Sequence, residues 1–290
     1  MLKSSDIRIR DPFVLLEDGR YYLYGTTDTD PWNGKAEGFD VYVSEDLARW
    51  QGPYTVFSTR RGFWADENFW APEVSRHKNE FYMIASFKAQ NKNRACHILK
   101  SGSPFGPFFP MDDPITPPDW WCLDGTLYVE QGKPWLIFCR EWLEVNDGRI
   151  YAVQLADDLT RCIGEPFLLF TASQAPWVKA IGVDKKSGNK NYVTDGPFLY
   201  RLSDGRLSMI WSSFSDKGYA IGQAVSSGGI LGEWIHQSTP FYDKDGGHGM
   251  IFKTKENQCM LTFHTPNEKA LERPVFLHVT EKNGALTVGG

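Results

Sequence analysis

The sequence predicts an all-β protein: a five-bladed β-propeller in one domain spanning residues 1–290. Three observations lead there. Helix-period stretches are nearly absent. Short apolar and aromatic runs alternate with Gly, Asn, Asp and Pro turns, the pattern of many short strands. A turn-plus-strand unit recurs five times at roughly 50- to 70-residue intervals, the spacing of propeller blades.

The units follow one another in order. Residues 17–20 (Glu17, Asp18, Gly19, Arg20) turn the chain ahead of Tyr21, Tyr22, Leu23 and Tyr24. Lys78, Asn79 and Glu80 precede Phe81, Tyr82, Met83 and Ile84. Glu130, Gln131, Gly132 and Lys133 precede the run 135–138, and Ser203, Asp204, Gly205 and Arg206 precede 207–211. Lys255, Glu256 and Asn257 stand before 260–263. An apolar strand comes ahead of each turn, as at 13–16, 126–129 and 250–253, and a third usually follows, as at 40–44 and 150–154. Three to four antiparallel strands per unit make one blade. No Pro/Ser-rich linker separates the units, so they read as one domain, and the repeat counts against a β-sandwich of unrelated hairpins.

Bulk properties narrow the partners. Hydrophobic residues make up 41% and charged residues 23%, ordinary values for a folded globular chain. The net charge is −5 and no basic block occurs, so nucleic acid is not an expected partner. No apolar run is long enough to span a membrane. The five cysteines contain no Cys-x-x-Cys pair, which argues against a zinc site and for reduced thiols. Residues 1–6 carry no apolar signal-peptide core, so the expected location is cytoplasmic, or secreted if a leader has been removed. Nothing in the pattern sets an oligomeric state.

The chemistry gathers just ahead of the first strand of each unit. There stand Asp11, Glu73, Asp124, Asp195 and His248. The first strand of a propeller blade lines the central channel, so equivalent positions form a ring at one mouth. A single Asp before Gly or Pro is a common turn residue. Four carboxyls and an imidazole at matched positions are not, because converging like charges raise one another's pKa. A fold keeps such a ring for function or for a cation. There is no Gly-x-Ser-x-Gly elbow, no phosphate-binding Gly loop and no His-Glu-x-x-His.

On these residues the chain resembles family 43 of the glycoside hydrolases, from Arg10-Asp11-Pro12 through Trp70-Ala71-Pro72-Glu73 to Glu272-Arg273-Pro274. The resemblance implies a five-bladed propeller that hydrolyses plant-type oligosaccharides with inversion: α-L-arabinofuranosidases, β-xylosidases, arabinanases and some galactanases. It implies Asp11 as general base, Asp124 as the carboxylate that tunes the acid, and Asp195 as the acid. It also implies a late active-site arginine at Arg273. No cofactor is required. An axial Ca²⁺ or Na⁺ near His248, met through water, is the one metal the resemblance suggests, since hard cations prefer oxygen ligands.

One departure leaves alternatives open. The family usually carries Glu as the acid, whereas this chain has Asp195. Either Asp195 remains the acid, or Glu141 at the end of a blade-three strand protonates the leaving oxygen, or the site binds sugar with little hydrolysis. A retaining fructosidase on a related propeller is a further alternative. Inversion needs its two carboxyls roughly 6.5–9.5 Å apart, a gap that opposite channel walls can supply, and retention about 5–5.5 Å. Candidate sugar contacts are Trp70, Glu73, Trp121, Trp142, Phe214, His248 and Arg273, with Trp64 and Trp120 as further stacking faces. For any single Trp, inter-blade packing is the competing role.

Overall fold

A computed structural model describes residues 1–59, 62–282 and 284–289. It is a five-bladed propeller. Blade one comprises Arg10–Glu17, Arg20–Thr26, Gly38–Ser44 and Arg49–Ser58, with Leu2–Lys3 added at its outer edge. Blade two runs through Glu67–His77, Glu80–Ala89, Lys92–Ser101 and Phe109–Pro110. Blade three holds Cys122–Glu130, Lys133–Arg140, Arg149–Leu155 and Cys162–Thr171. Blade four holds Asp195–Arg201, Leu207–Ser215, Gly218–Ser226 and Ile235–His236. Blade five holds Gly247–Lys253, Cys259–Thr265, Arg273–Lys282 and Ala285–Val288. All neighbouring strands within a blade are antiparallel. A small hairpin, Gly182–Val183 with Lys190–Asn191, stands between blades three and four.

The apolar face of each blade is buried against its neighbours. Phe39, Phe57, Phe69 and Phe87 form a clustered set of rings between blades one and two, with centroids 4.9–6.0 Å apart. Trp211 and Trp177 pack between blades three and four, and Leu261, Phe263 and Ile221 between four and five. Burying one such large side chain contributes about 1.5–3 kcal/mol. This is why a chain with 11 Trp and 19 Phe needs no disulfide; all five cysteines are free thiols. The last blade packs on the first through Gly247–Lys253 and Arg10–Glu17, which closes the ring.

One local device recurs in all five blades and sets the site. The first strand of each blade slips register near its start, and one residue there turns to positive φ. These residues are Asp11 (51°), Ala71 (48°), Asp124 (55°), Gly196 (47°) and His248 (52°). The bulge aims its side chain away from the blade face and leaves its N–H unpaired within the strand. That N–H is taken up by the preceding blade's second strand. Ala71 donates to the Thr26 hydroxyl at 2.9 Å, Asp124 to the Ser86 hydroxyl at 2.9 Å, and His248 to the Ser212 hydroxyl at 2.7 Å. Asp11 donates to His264 Nδ1 at 3.1 Å, joining blade one to blade five. At the one remaining junction the corresponding second-strand residue is Cys139, a weak acceptor. There the Gly196 N–H turns instead to the Asp124 carboxylate, at 2.9 Å.

The bulge also corrects the expected ring. Asp11, Asp124 and His248 occupy its equivalent position, as the sequence suggests. Asp195 does not: it lies one residue earlier, because Gly196 takes the left-handed place. Glu73 lies two residues later, because Ala71 takes it. Two physical demands shift them. A side chain at Gly196 would strike the His248 ring, with an added Cβ 2.7 Å from its Cδ2. In blade two the turn falls at Ala71, one residue after Trp70, which sets Glu73 two residues past it.

Candidate active site

The bulges bring Asp11, Asp124, Asp195 and His248 to one mouth of the channel, in a pocket also lined by Arg10, Pro31, Trp32, Trp70, Leu123 and Tyr219. His248 Nδ1 lies 3.3 Å from Asp11 Oδ1 and 3.7 Å from Asp124 Oδ2, so one imidazole bridges two carboxyls from blades one and three. Three of the four acids expected in the ring thus line the mouth beside His248, from two different registers.

Their protonation states separate. Burial pushes the Asp11 carboxyl up, but the His248 imidazole, the Arg10 guanidinium and the Thr26 hydroxyl outweigh it and hold the pKa at about 2. The Thr26 hydroxyl donates to Asp11 Oδ2 at 2.6 Å. His264 accepts the Asp11 N–H and is kept neutral by burial, its pKa brought down to about 3. Asp195 goes the other way. Burial first, then repulsion from Asp124, raise it to about 7, against His248 and the Tyr219 hydroxyl, which donates to Asp195 Oδ2 at 2.9 Å. Asp124 is likewise raised to about 7 by burial and by Asp11, opposed by the Gly196 N–H and by Arg94. Glu73 is raised to about 8 by burial, with the Thr126 hydroxyl opposing.

The remaining predicted residues fall into two groups. Trp70 is in the wall, its indole N–H donating to the Pro31 carbonyl at 2.5 Å. Phe214 rests on the Tyr219 ring at 5.2 Å and so backs the residue that holds Asp195. Glu141 is 6% exposed at the end of the second strand of blade three, next to Arg94 of blade two. Trp121 and Trp142 flank it, and neither lines the pocket among the described residues. Trp120 is covered by Arg140 at 4.0 Å, and the Trp64 indole donates to His97 at 2.9 Å, so both serve packing. Arg273 is committed to the carbonyls of Ser5, Ala270 and Glu272 and does not reach the pocket. The arginine at the mouth is Arg10 instead. It is held by the fully buried Glu272 at 3.0 Å and lies over the Trp32 ring at 4.6 Å.

Arg10, Tyr219, His264 and Thr26 were missed in the sequence. Arg10 stands beside Asp11, and its neighbour's role was the only available signal. Thr26 and His264 are readable only once the bulge register is known, since each is defined by the strand residue it faces. For a metal, among the described residues no group of three or more His, Cys, Asp and Glu side chains is arranged to hold an ion. His248 faces the carboxyls of Asp11 and Asp124 through Nδ1.

The fold is shared with known proteins. A solved structure described as an endo-arabinase from Bacteroides thetaiotaomicron VPI-5482 superposes with a TM-score of 0.90 at 43% identity, covering 98% of each chain. One described as an endo-1,4-beta-xylanase from the same organism superposes at 0.78 with 26% identity, covering 99% of this chain and 96% of that one. A curated extracellular exo-alpha-(1->5)-L-arabinofuranosidase of Cellvibrio japonicus is 26% identical over 176 residues, 54% of this chain and 46% of its own length. A curated xylosidase/arabinosidase of Bacteroides ovatus is 29% identical over 143 residues. The match spans less than half the length of either curated relative. The sequence profile of "Glycosyl hydrolases family 43" covers residues 5–283, which takes in every bulge and every acid of the channel mouth, and the chain belongs to that family.

Proposed function

We propose that the chain is an inverting glycosidase acting on arabinan- or xylan-type plant oligosaccharides, releasing α-L-arabinofuranosyl or β-xylosyl units. In this reading Asp11 is the base and Asp195 the acid. The observation that carries it is the opposed protonation of these two carboxyls, about 2 against about 7, on blades that are not neighbours in the ring. An ionised Asp11 takes a proton from water on one side of the bond. A protonated Asp195 gives one to the leaving oxygen on the other. Asp124 raises the acid by repulsion, and its bond to the Gly196 N–H fixes it beside Asp195. Arabinan is the favoured polymer, on the similarity to the endo-arabinase.

The test is hydrolysis of aryl α-L-arabinofuranoside, aryl β-xyloside, linear arabinan and xylan, with the first-formed anomer followed by proton NMR. The inverted anomer from an arabinosyl substrate is expected. No release from any of the four, or a retained anomer, overturns the reading. Chain-end release and internal cleavage of arabinan are separated by the product sizes.

The same electrostatics set a pH dependence. Activity needs Asp195 protonated, so the rate falls as pH rises through about 7, while Asp11 stays ionised down to about 2. Asp124 and Asp195 titrate as an interacting pair, so the limb belongs to both. Tyr219→Phe removes the O–H that favours ionised Asp195, so that carboxyl rises further. The alkaline limb of kcat/KM is expected to move to higher pH in Tyr219→Phe, and an unmoved or lowered limb contradicts the assignment.

A further inference from the structure

We propose that Arg94 and Glu141 form a sugar-hydroxyl clamp at the junction of blades two and three, a subsite that grips two neighbouring hydroxyls of a pentosyl unit next to the cleavage site. The inference rests on the glycosidase reading and extends it to residues which that mechanism does not use. Both side chains are buried, Arg94 at 3% and Glu141 at 6% exposure. They face one another across the blade boundary, with Arg94 Nε 3.7 Å from Glu141 Oε2, too long for a hydrogen bond. Among the described residues, Arg94 Nε and Nη1 and Glu141 Oε2 have no hydrogen-bond partner. The guanidinium's one side-chain hydrogen bond among the described residues goes from Nη2 to Asn68 Oδ1, at 3.4 Å.

Buried charges left short of partners are costly, and native folds rarely keep them without a use. What they lack is a group that accepts from a guanidinium and donates to a carboxylate at once. A sugar hydroxyl does both. Two adjacent hydroxyls on a ring match the fork of Arg94 on one side and the free Glu141 oxygen on the other. The placement fits as well. The Arg94 guanidinium lies 3.9 Å from the centre of the Trp70 ring, and Trp70 is a wall of the catalytic pocket. Glu141 follows directly on Arg140, whose strand ends at the same mouth and whose register partner is Cys122, two residues before Asp124. The side chain of Arg94 is therefore held flat by an indole that also borders the acids. A clamp there reads hydroxyl positions, which is where an arabinofuranosyl and a xylosyl ring differ.

Binding of arabinotriose and xylotriose to Asp11→Asn protein, measured by isothermal titration calorimetry, tests the clamp without turnover. Arg94→Met with Glu141→Leu replaces the pair by apolar side chains of similar size, a change that need not destabilise the fold. The double variant is expected to keep its Tm and to lose about 10-fold or more in affinity for the preferred trisaccharide, the loss of charge-assisted bonds to hydroxyls. Glu141→Gln, nearly isosteric, carries the test if the double variant fails to fold, and is expected to weaken binding in the same direction. Unchanged affinity in a folded variant overturns the clamp alone. Failure of both sugars to bind when Arg94 and Glu141 are intact overturns the clamp and the glycosidase reading together.

Discussion

Asp11→Asn is expected to lower kcat on an arabinosyl oligosaccharide by about 10²–10⁴-fold, the usual contribution of a positioned general base. Affinity for the sugar should change little. Asn keeps the size of Asp and still meets the Thr26 hydroxyl, which donates to Asp11 Oδ2. Its backbone N–H to His264 is untouched, and that bond joins the first and last blades. What disappears is the charge that makes the group basic. The charge is unusually secure in the native site: His248, Arg10 and Thr26 hold the carboxyl at about 2 despite its burial. Such a group is a weak base by itself. Its effect comes from being ionised and oriented at every pH where the acid is still protonated. Steady-state kinetics on the variant, beside calorimetry with the intact oligosaccharide, separates turnover from binding. Full turnover in Asp11→Asn rules out the base assignment, and joint loss of binding and turnover points to a structural role at the blade closure.

Much of this was legible in the chain itself, and the reasons are specific. Turns such as Glu17-Asp18-Gly19-Arg20 fix hairpins locally, so the strands at Arg10–Glu17 and Arg20–Thr26 fall where the turn chemistry puts them. Five repeats of that signal determine the architecture. Asp11, Asp124 and His248 were readable as a ring because each precedes a first strand at the same offset. The register of Asp195 and Glu73 was not. A bulge is set by which residue tolerates positive φ and which neighbour crowds it, and the crowding of Gly196 by His248 is a contact between blades four and five. Arg273 misled for the same reason. Proximity in sequence to a family marker says nothing about which carbonyls a guanidinium will meet, and here Ser5, Ala270 and Glu272 claim it. Arg10 reaches the pocket because Glu272, distant in sequence but fully buried, anchors it from beneath. Long-range partners of this kind leave no periodic trace.

Asp195→Ala tests the departure from the usual glutamic acid. A general acid matters in proportion to how poorly the leaving group departs by itself. On arabinan or an alkyl arabinoside the variant is expected to lose about 10²–10⁴-fold in kcat/KM. On an aryl arabinofuranoside with an acidic phenol, which leaves as phenolate without help, the loss should be far smaller. The surroundings of Asp195 support the proposed role. Burial and Asp124 lift it to about 7, Tyr219 aims its Oδ2, and the Gly196 N–H ties the following residue to Asp124. Asp195 lies one residue ahead of the bulge position that Asp11, Asp124 and His248 occupy in their own blades, so its register differs from theirs. Glu141 is the rival donor. Burial raises it too, with Arg94 opposing that rise only in part from 3.7 Å away, but Glu141 faces Arg94 across the blade boundary and, among the described residues, is not part of the lining shared by Asp11 and Asp195. Removing Glu141 should therefore weaken binding about equally for aryl and natural substrates, whereas removing Asp195 should divide them by leaving group. A leaving-group divide in Glu141→Gln, with none in Asp195→Ala, would transfer the acid role to blade three.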